Sequence, residues 1–169
     1  MTLAVLSIGS NVGDRLANLR TVTDALGSRL RARSPVYVTA PWGVTDQADF
    51  YNAVLLAEDG SWDEWKWLEF AQRCERAAQR TRERHWGPRT LDVDIINCAK
   101  DGEPVVQRDP RLTLPHPHAH ERAFVLVPWL DVDPHAALHG TPIAELLTVL
   151  SATEREGVQR RPDQTEWLR

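Results

Sequence analysis

Asp92 and Asp94 stand one residue apart in Leu91-Asp92-Val93-Asp94-Ile95-Ile96, a stretch that alternates polar and apolar side chains. In a β-strand residues i and i+2 leave the same face, so the two carboxylates project side by side. Like charges held that close repel, which predicts displaced pKa values, a bound cation, or both. Hard oxygen ligands that leave positions for water and phosphate suit magnesium. By itself an Asp-x-Asp pair is most often the solvated face of a strand. What raises the metal reading is its surroundings, starting with Trp86-Gly87-Pro88-Arg89-Thr90 just upstream, which adds a flat ring, a turn and a fixed cation.

Before that segment comes Arg80-Thr81-Arg82-Glu83-Arg84-His85. A basic loop can simply be solvated, but guanidinium forks next to a carboxylate pair match a phosphate chain. Gln72 and Glu75, three apart on the preceding helix, share a face that leads into this loop. Asn52 interrupts an otherwise apolar run, and a buried amide must find hydrogen-bond partners or cost stability. A neighbouring loop backbone or a ligand would serve it equally. Trp42, in the Pro- and Gly-containing loop from Thr39 to Asp49, is an odd choice for a merely solvated connection and hints at ligand contact or a cover. His116, His118 and His120 alternate, which suggests zinc. The prolines between them and the lack of an accompanying cysteine weigh against it. A histidine with Arg111 and Arg122 beside phosphate fits better.

The elements that must position these groups follow from periodicity. Leu3 to Ile8 is apolar on both faces and ends at Gly9-Ser10-Asn11, so it reads as a buried central strand and a turn. Leu16, Leu19, Val22, Leu26 and Leu30 recur at helical spacing after Asp14. A second strand is expected around Arg33 to Val38. The third, Phe50 to Ala57, puts Phe50, Asn52, Val54 and Leu56 on one face and Tyr51, Ala53, Leu55 and Ala57 on the other. Ser61-Trp62-Asp63-Glu64 has capping-box form, and the helix it opens is expected to turn Trp65, Leu68, Ala71, Cys74 and Ala78 toward the core. After the aspartate strand, Asp101-Gly102 marks a turn and Glu103 to Gln107 a short returning strand. Pro142 to Leu150 reads as a short helix, and from Ser151 the tail is polar without a motif. The order strand, helix, strand, strand, helix, strand predicts an α+β fold, a ferredoxin-like βαββαβ sandwich with a mainly antiparallel sheet and helices on one face.

The 169 residues and formal net charge of −4 bound the rest. One domain spanning 1–169 is expected, with little room for a second. The acidic balance argues against a nucleic-acid binder. Leu3 to Ile8 is too short for a signal core or a membrane span. Cys74 and Cys98 lack metal or redox spacing, so reduced buried thiols, a cytoplasmic location and no membrane association are expected.

Three blocks occur in order: Ser7-Ile8-Gly9-Ser10-Asn11 with Gly13-Asp14; Trp86-Gly87-Pro88-Arg89-Thr90-Leu91-Asp92-Val93-Asp94; and Leu112-Thr113-Leu114-Pro115-His116 followed by Arg122-Ala123-Phe124. On these, from the first strand to about Leu150, the chain resembles the 6-hydroxymethyl-7,8-dihydropterin pyrophosphokinase family. That resemblance implies pyrophosphoryl transfer from ATP to a pterin alcohol in folate biosynthesis. It implies a pair of magnesium ions on Asp92 and Asp94, and an ATP site involving Gln72, Glu75, Arg89, Arg111, Thr113, His116 and Arg122. Arg80 and Arg82 would supply phosphate-facing cations from a closing loop. Thr39, Trp42 and Asn52 would read the pterin, Phe50 and Phe124 would sandwich it, and Trp86 would border it. Small-molecule substrates and a monomer are the expected partners and state. The pattern departs from the family at His85, where arginine is usual, at Phe50, where tyrosine is common, and at Trp42, where leucine can occur. A kinase moving only the γ-phosphoryl group, or a ferredoxin-like RNA- or ligand-binding module, are the rival readings.

Overall fold

The structure, a computed structural model, describes residues 1–40, 48–80 (the side chain of Arg80 apart) and 90–168. Strand β1 (Thr2–Ser10) is central, paired antiparallel with β4 (Phe50–Asp59) on one side and β5 (Asp92–Lys100) on the other. Between them in sequence lie α1 (Arg15–Leu26), β2 (Leu30–Arg33) and β3 (Tyr37–Thr39), and α2 (Glu64–Arg80) links β4 to β5. These elements have the expected βαββαβ order, with the expected antiparallel sheet. Asp14 opens α1 by accepting the Ala17 N–H at 3.0 Å. The helix stops earlier than its apolar spacing suggests, because Gly27 takes φ 54° and Leu30 already begins β2. A left-handed φ is cheap only for glycine, so a helix turns off there.

The second strand is realised as two pieces. Pro35 has no N–H to give a ladder, and Ser34 fills the break by donating its N–H to the Val54 carbonyl and accepting the Val54 N–H on its hydroxyl, both at 2.9 Å. The capping box at Ser61 is corrected as well. Asp59 accepts from the Ser61 N–H, the Ser61 hydroxyl and the Trp62 N–H, which removes Ser61 as a cap. Asp63 instead accepts the Lys66 N–H at 2.8 Å. The face that α2 docks on the sheet also differs from the expected one: Trp67 and Phe70 are buried with Ala71, Cys74 and Ala78, while Trp65 and Leu68 are only partly buried.

After β5, residues Asp101 and Gly102 adopt positive φ and turn the chain into β6 (Glu103–Pro104). Then follow the β7 (Gln107–Asp109) and β8 (Leu112–Leu114) pair, α3 (Ala123–Val132), β9 (Ala137–Leu138), β10 (Thr141–Pro142), α4 (Ile143–Val149), α5 (Ala152–Glu156) and β11 (Val158–Arg160). Helices α1 and α2 cover one sheet face through Leu19, Val22, Trp67 and Phe70 against Leu6, Ile8, Leu55 and Ile95. The other face is not bare, as a one-faced sandwich would have it. Val5, Val54 and Ile96 are buried there under Val125, Leu126 and Trp129 of α3 and Ile143 of α4. Strands apolar on both faces require two covers, and each large side chain so buried contributes about 1.5–3 kcal/mol. The C-terminal tail is part of the fold. Strand β11 pairs with β3 at the sheet edge, Trp167 is fully buried, and its indole N–H donates to the Ser34 carbonyl at 2.7 Å. Cys74 and Cys98 are buried and not disulfide-bonded, and burial pushes their thiols up to about 11 and 12.

Candidate active site

The face of the sheet under α3 opens at one end into a cleft of about 850 Å³. Its floor is a row across three strands: Asn52 on β4 lies opposite Gly9 on β1, and Gly9 lies opposite Asp92 on β5. One step along, Ser7 lies opposite both Val54 and Asp94. Alternation in the strands therefore delivers Asn52 and the two carboxylates to the same face, with small residues between them. A Cβ on Gly9 would come within 2.7 Å of Asn52 Oδ1, so glycine is what allows the amide to lie across β1. Asn52 is buried, and its Nδ2 donates to the Thr39 hydroxyl at the edge of the cleft.

Arg122, at the start of α3, sits between the two ends of the cleft. Its guanidinium is 3.9 Å from Asp94 Oδ2 and 5.7 Å from the centroid of the Phe124 ring. His116 is placed by its own N–H, which donates to the Ile96 carbonyl at 2.8 Å. Its Nδ1 accepts the His118 N–H at 3.1 Å, which leaves Nε2 as the protonated nitrogen of a neutral ring. Burial, followed by the charges of Arg122 and His118, pushes this imidazole down to about 4. A neutral N–H donor beside a guanidinium suits an anionic or polar ligand without adding another charge.

A family model described as 7,8-dihydro-6-hydroxymethylpterin-pyrophosphokinase matches residues 5–134. The chain belongs to this family. It is 49% identical over 168 residues to the 2-amino-4-hydroxy-6-hydroxymethyldihydropteridine pyrophosphokinase of Mycobacterium tuberculosis, covering 94% of this chain and 89% of the relative. The proteins of that name from Methylorubrum extorquens and Bacillus subtilis are 42% and 33% identical, covering 94% and 93% of this chain and 100% and 89% of theirs. A crystal structure of Plasmodium falciparum HPPK-DHPS aligns with TM-score 0.67 and 12% identity, covering 94% of this chain and 48% of that one. The chain spans about half the length of that protein, and the likeness there is one of fold.

Of the residues assigned to the family's site from sequence, the cleft brings together Thr39, Phe50, Asn52, Asp92, Asp94, His116, Arg122 and Phe124. Four others do not line it. Gln72 is exposed on α2, and Glu75 accepts the Val93 N–H at 3.3 Å. Arg111 pairs with Asp109 at 3.1 Å and lies 4.8 Å from the Trp65 ring centroid, while the Thr113 hydroxyl donates to the Asp109 carbonyl. Trp42, Arg82, His85, Trp86 and Arg89 lie outside the described residues, and Arg80 is the last residue of α2. The cleft also contains Ser7, Gly9, Ala40, Glu121, Ala123, Leu150, Glu154 and Val158. Ser7 lies within the expected strand, whereas Gly9 is expected in the turn after it; pairing with Asn52 and Asp92 continues β1 to Ser10 and puts Gly9 in the sheet. Leu150, Glu154 and Val158 carried no signal, since only docking of the tail brings them here. Among the described residues, no helix is long and apolar enough to cross a membrane.

Proposed function

We propose that this chain transfers the pyrophosphoryl group of ATP to the hydroxymethyl oxygen of 6-hydroxymethyl-7,8-dihydropterin, releasing AMP. The observation that carries the reading is the row Asn52, Gly9, Asp92: an amide suited to a heterocycle and a carboxylate suited to a metal face one cleft from adjoining strands. Two flat rings, Phe50 and Phe124, flank the amide end and provide walls for a planar ligand. The pterin oxygen attacks the β-phosphorus. A new O–P bond forms, the bond from the α,β-bridging oxygen to that phosphorus breaks, AMP leaves, and the hydroxyl proton passes to solvent.

The donor set fits magnesium, because two carboxylates leave one strand face toward the cleft, with the small residues Ser7 and Gly9 opposite them in the sheet. A pair of magnesium ions held by Asp92 and Asp94 would neutralise charge on the triphosphate and the leaving oxygen. Asn52, with Thr39 orienting its amide, binds the polar edge of the pterin. Arg122 holds phosphate oxygens between the two ends of the cleft, and His116 donates from Nε2. Arg80, Arg82 and Arg89 supply further cations, Trp42 and Trp86 cover the pterin, and Gln72, Glu75, Arg111 and Thr113 serve the nucleotide from outside the cleft wall. Positioning and electrostatics thus carry the rate.

Incubation with ATP, magnesium and 6-hydroxymethyl-7,8-dihydropterin tests the assignment. AMP and the pterin diphosphate are expected in equal amounts. Formation of ADP instead would mean transfer of the γ-phosphoryl group alone.

A further inference from the structure

The segment after Leu150, which carries no motif, walls one end of the cleft. Leu150, Glu154 and Val158 line it together with Thr39, Phe50 and Phe124. Val158 lies opposite Thr39 in the pairing of β11 with β3. Tyr37, Ala123 and Val158 form a small buried apolar cluster against which Phe124, Val127 and Leu150 pack. The walls of this end therefore come from three elements that are remote in sequence.

Three polar side chains tie those elements together behind the cluster. Tyr37 of β3 donates its hydroxyl hydrogen to Asp131 Oδ2 of α3. Arg160 of β11 approaches Asp131 Oδ1 at 3.6 Å and lies 5.9 Å from the centroid of the Tyr37 ring. Burial first, and then the hydrogen bond to Asp131, hold the Tyr37 phenol above its ordinary range, so it remains a neutral donor near pH 7. Arg160 is largely exposed and its ion pair alone is weak. The buried Tyr37 hydroxyl is the stronger tie. Each partner shares an element with one wall residue: Tyr37 with Thr39, Asp131 with Phe124, and Arg160 with Val158.

We propose that Tyr37, Asp131 and Arg160 are positioning residues for the pterin end of the cleft, through which the C-terminal strand sets the spacing of Thr39, Phe124 and Val158. This rests on the pterin pyrophosphokinase reading above. Ring stacking is favourable only within centroid distances of about 4.5–7 Å, so a wall that drifts loses affinity for a flat ligand. Asp92 and Asp94 stand on β5, and His116 is anchored to that strand through Ile96, so these groups are carried by a different element from Tyr37, Asp131 and Arg160. Of the groups assigned to phosphate and metal, only Arg122 shares α3 with Asp131, so loosening the group should weaken the pterin far more than the nucleotide.

Equilibrium titration tests this on the full chain, using 6-hydroxymethyl-7,8-dihydropterin in the presence of magnesium and saturating α,β-methylene-ATP, and separately the ATP analogue alone. Tyr37→Phe is expected to raise the pterin Kd and KM about fivefold, the size of one net hydrogen bond, with analogue Kd and kcat changed by less than about twofold. Arg160→Ala should show a smaller selective loss, which Arg160→Lys restores. Equal weakening of both ligands, or a lower Tm with both affinities unchanged, overturns the positioning role and leaves the assigned activity standing. If the unsubstituted protein binds the analogue and not the pterin, the reading of the cleft falls, and the positioning role falls with it.

Discussion

Gly9 and Asn52 face each other directly across β1 and β4, and the space a Cβ would need at Gly9 is taken by the Asn52 carboxamide oxygen, 2.7 Å away. Asn52 is buried and donates to Thr39, so it has little freedom to move aside. Gly9→Ala is expected to push the amide out of register with the cleft. The KM for the pterin should rise about tenfold, as misplacing a binding group by a fraction of an ångström does, with a much smaller change for ATP. Steady-state kinetics with each substrate varied in turn checks this. An unchanged pterin KM would mean that Asn52 does not read that substrate.

Asp92→Ala and Asp94→Ala should separate chemistry from stability. Both carboxylates lie on a strand face open to the cleft and neither is fully buried. Removing either is expected to lower kcat by at least about 100-fold, the loss typical of a group that stabilises transferred charge. Tm in the absence of metal should change little by comparison, because both carboxylates are only partly buried and loss of the long, half-exposed Arg122–Asp94 pair costs little. Turnover measured across magnesium concentrations, beside a melting curve, distinguishes the two effects. Full activity in Asp92→Ala would remove the metal assignment.

His116 makes the ligand-free fold acid-sensitive in a defined window. Its imidazole titrates near 4 in the folded chain, below the ordinary 6.5, chiefly because of burial. Between those values the unfolded chain binds a proton that the folded chain refuses, so stability falls as pH drops from about 6.5 to about 4. His116→Asn cannot titrate, and its Tm should decline less steeply across that window. Parallel declines in the two proteins would show that other groups dominate acid sensitivity.

Trp167 tests whether the tail belongs to the core. It is fully buried, donates to Ser34, and its carbonyl accepts from Arg33 at 2.8 Å. Trp167→Ala should cost about 3–5 kcal/mol, as large aromatic-to-alanine changes in cores do. Chemical denaturation measures it. A change below about 1 kcal/mol would place the tail outside the cooperative unit.

Sequence alone determined the parts of this protein that rest on local periodicity. Alternation placed Asp92 with Asp94 and Phe50 with Asn52, and an apolar run on both faces marked β1 as central. These relations need only a strand, and any strand with those residues has them. Tertiary structure decided whatever depends on a partner distant in the chain. The second strand is split at Pro35, and Ser34 holds the break to β4 because Val54 takes both its backbone and its hydroxyl bonds. Trp67 enters the core and Trp65 stays partly buried because the way α2 docks on the sheet selects the face. His116 is a neutral Nε2 donor because its Nδ1 accepts the His118 N–H and burial disfavours the charged ring. The tail, polar and without pattern, becomes a sheet edge and a cleft wall through contacts spanning 128 residues from Val36 to Gln164 and 133 from Ser34 to Trp167. Pairing across such separations is set by the whole docked surface, and no local period records it.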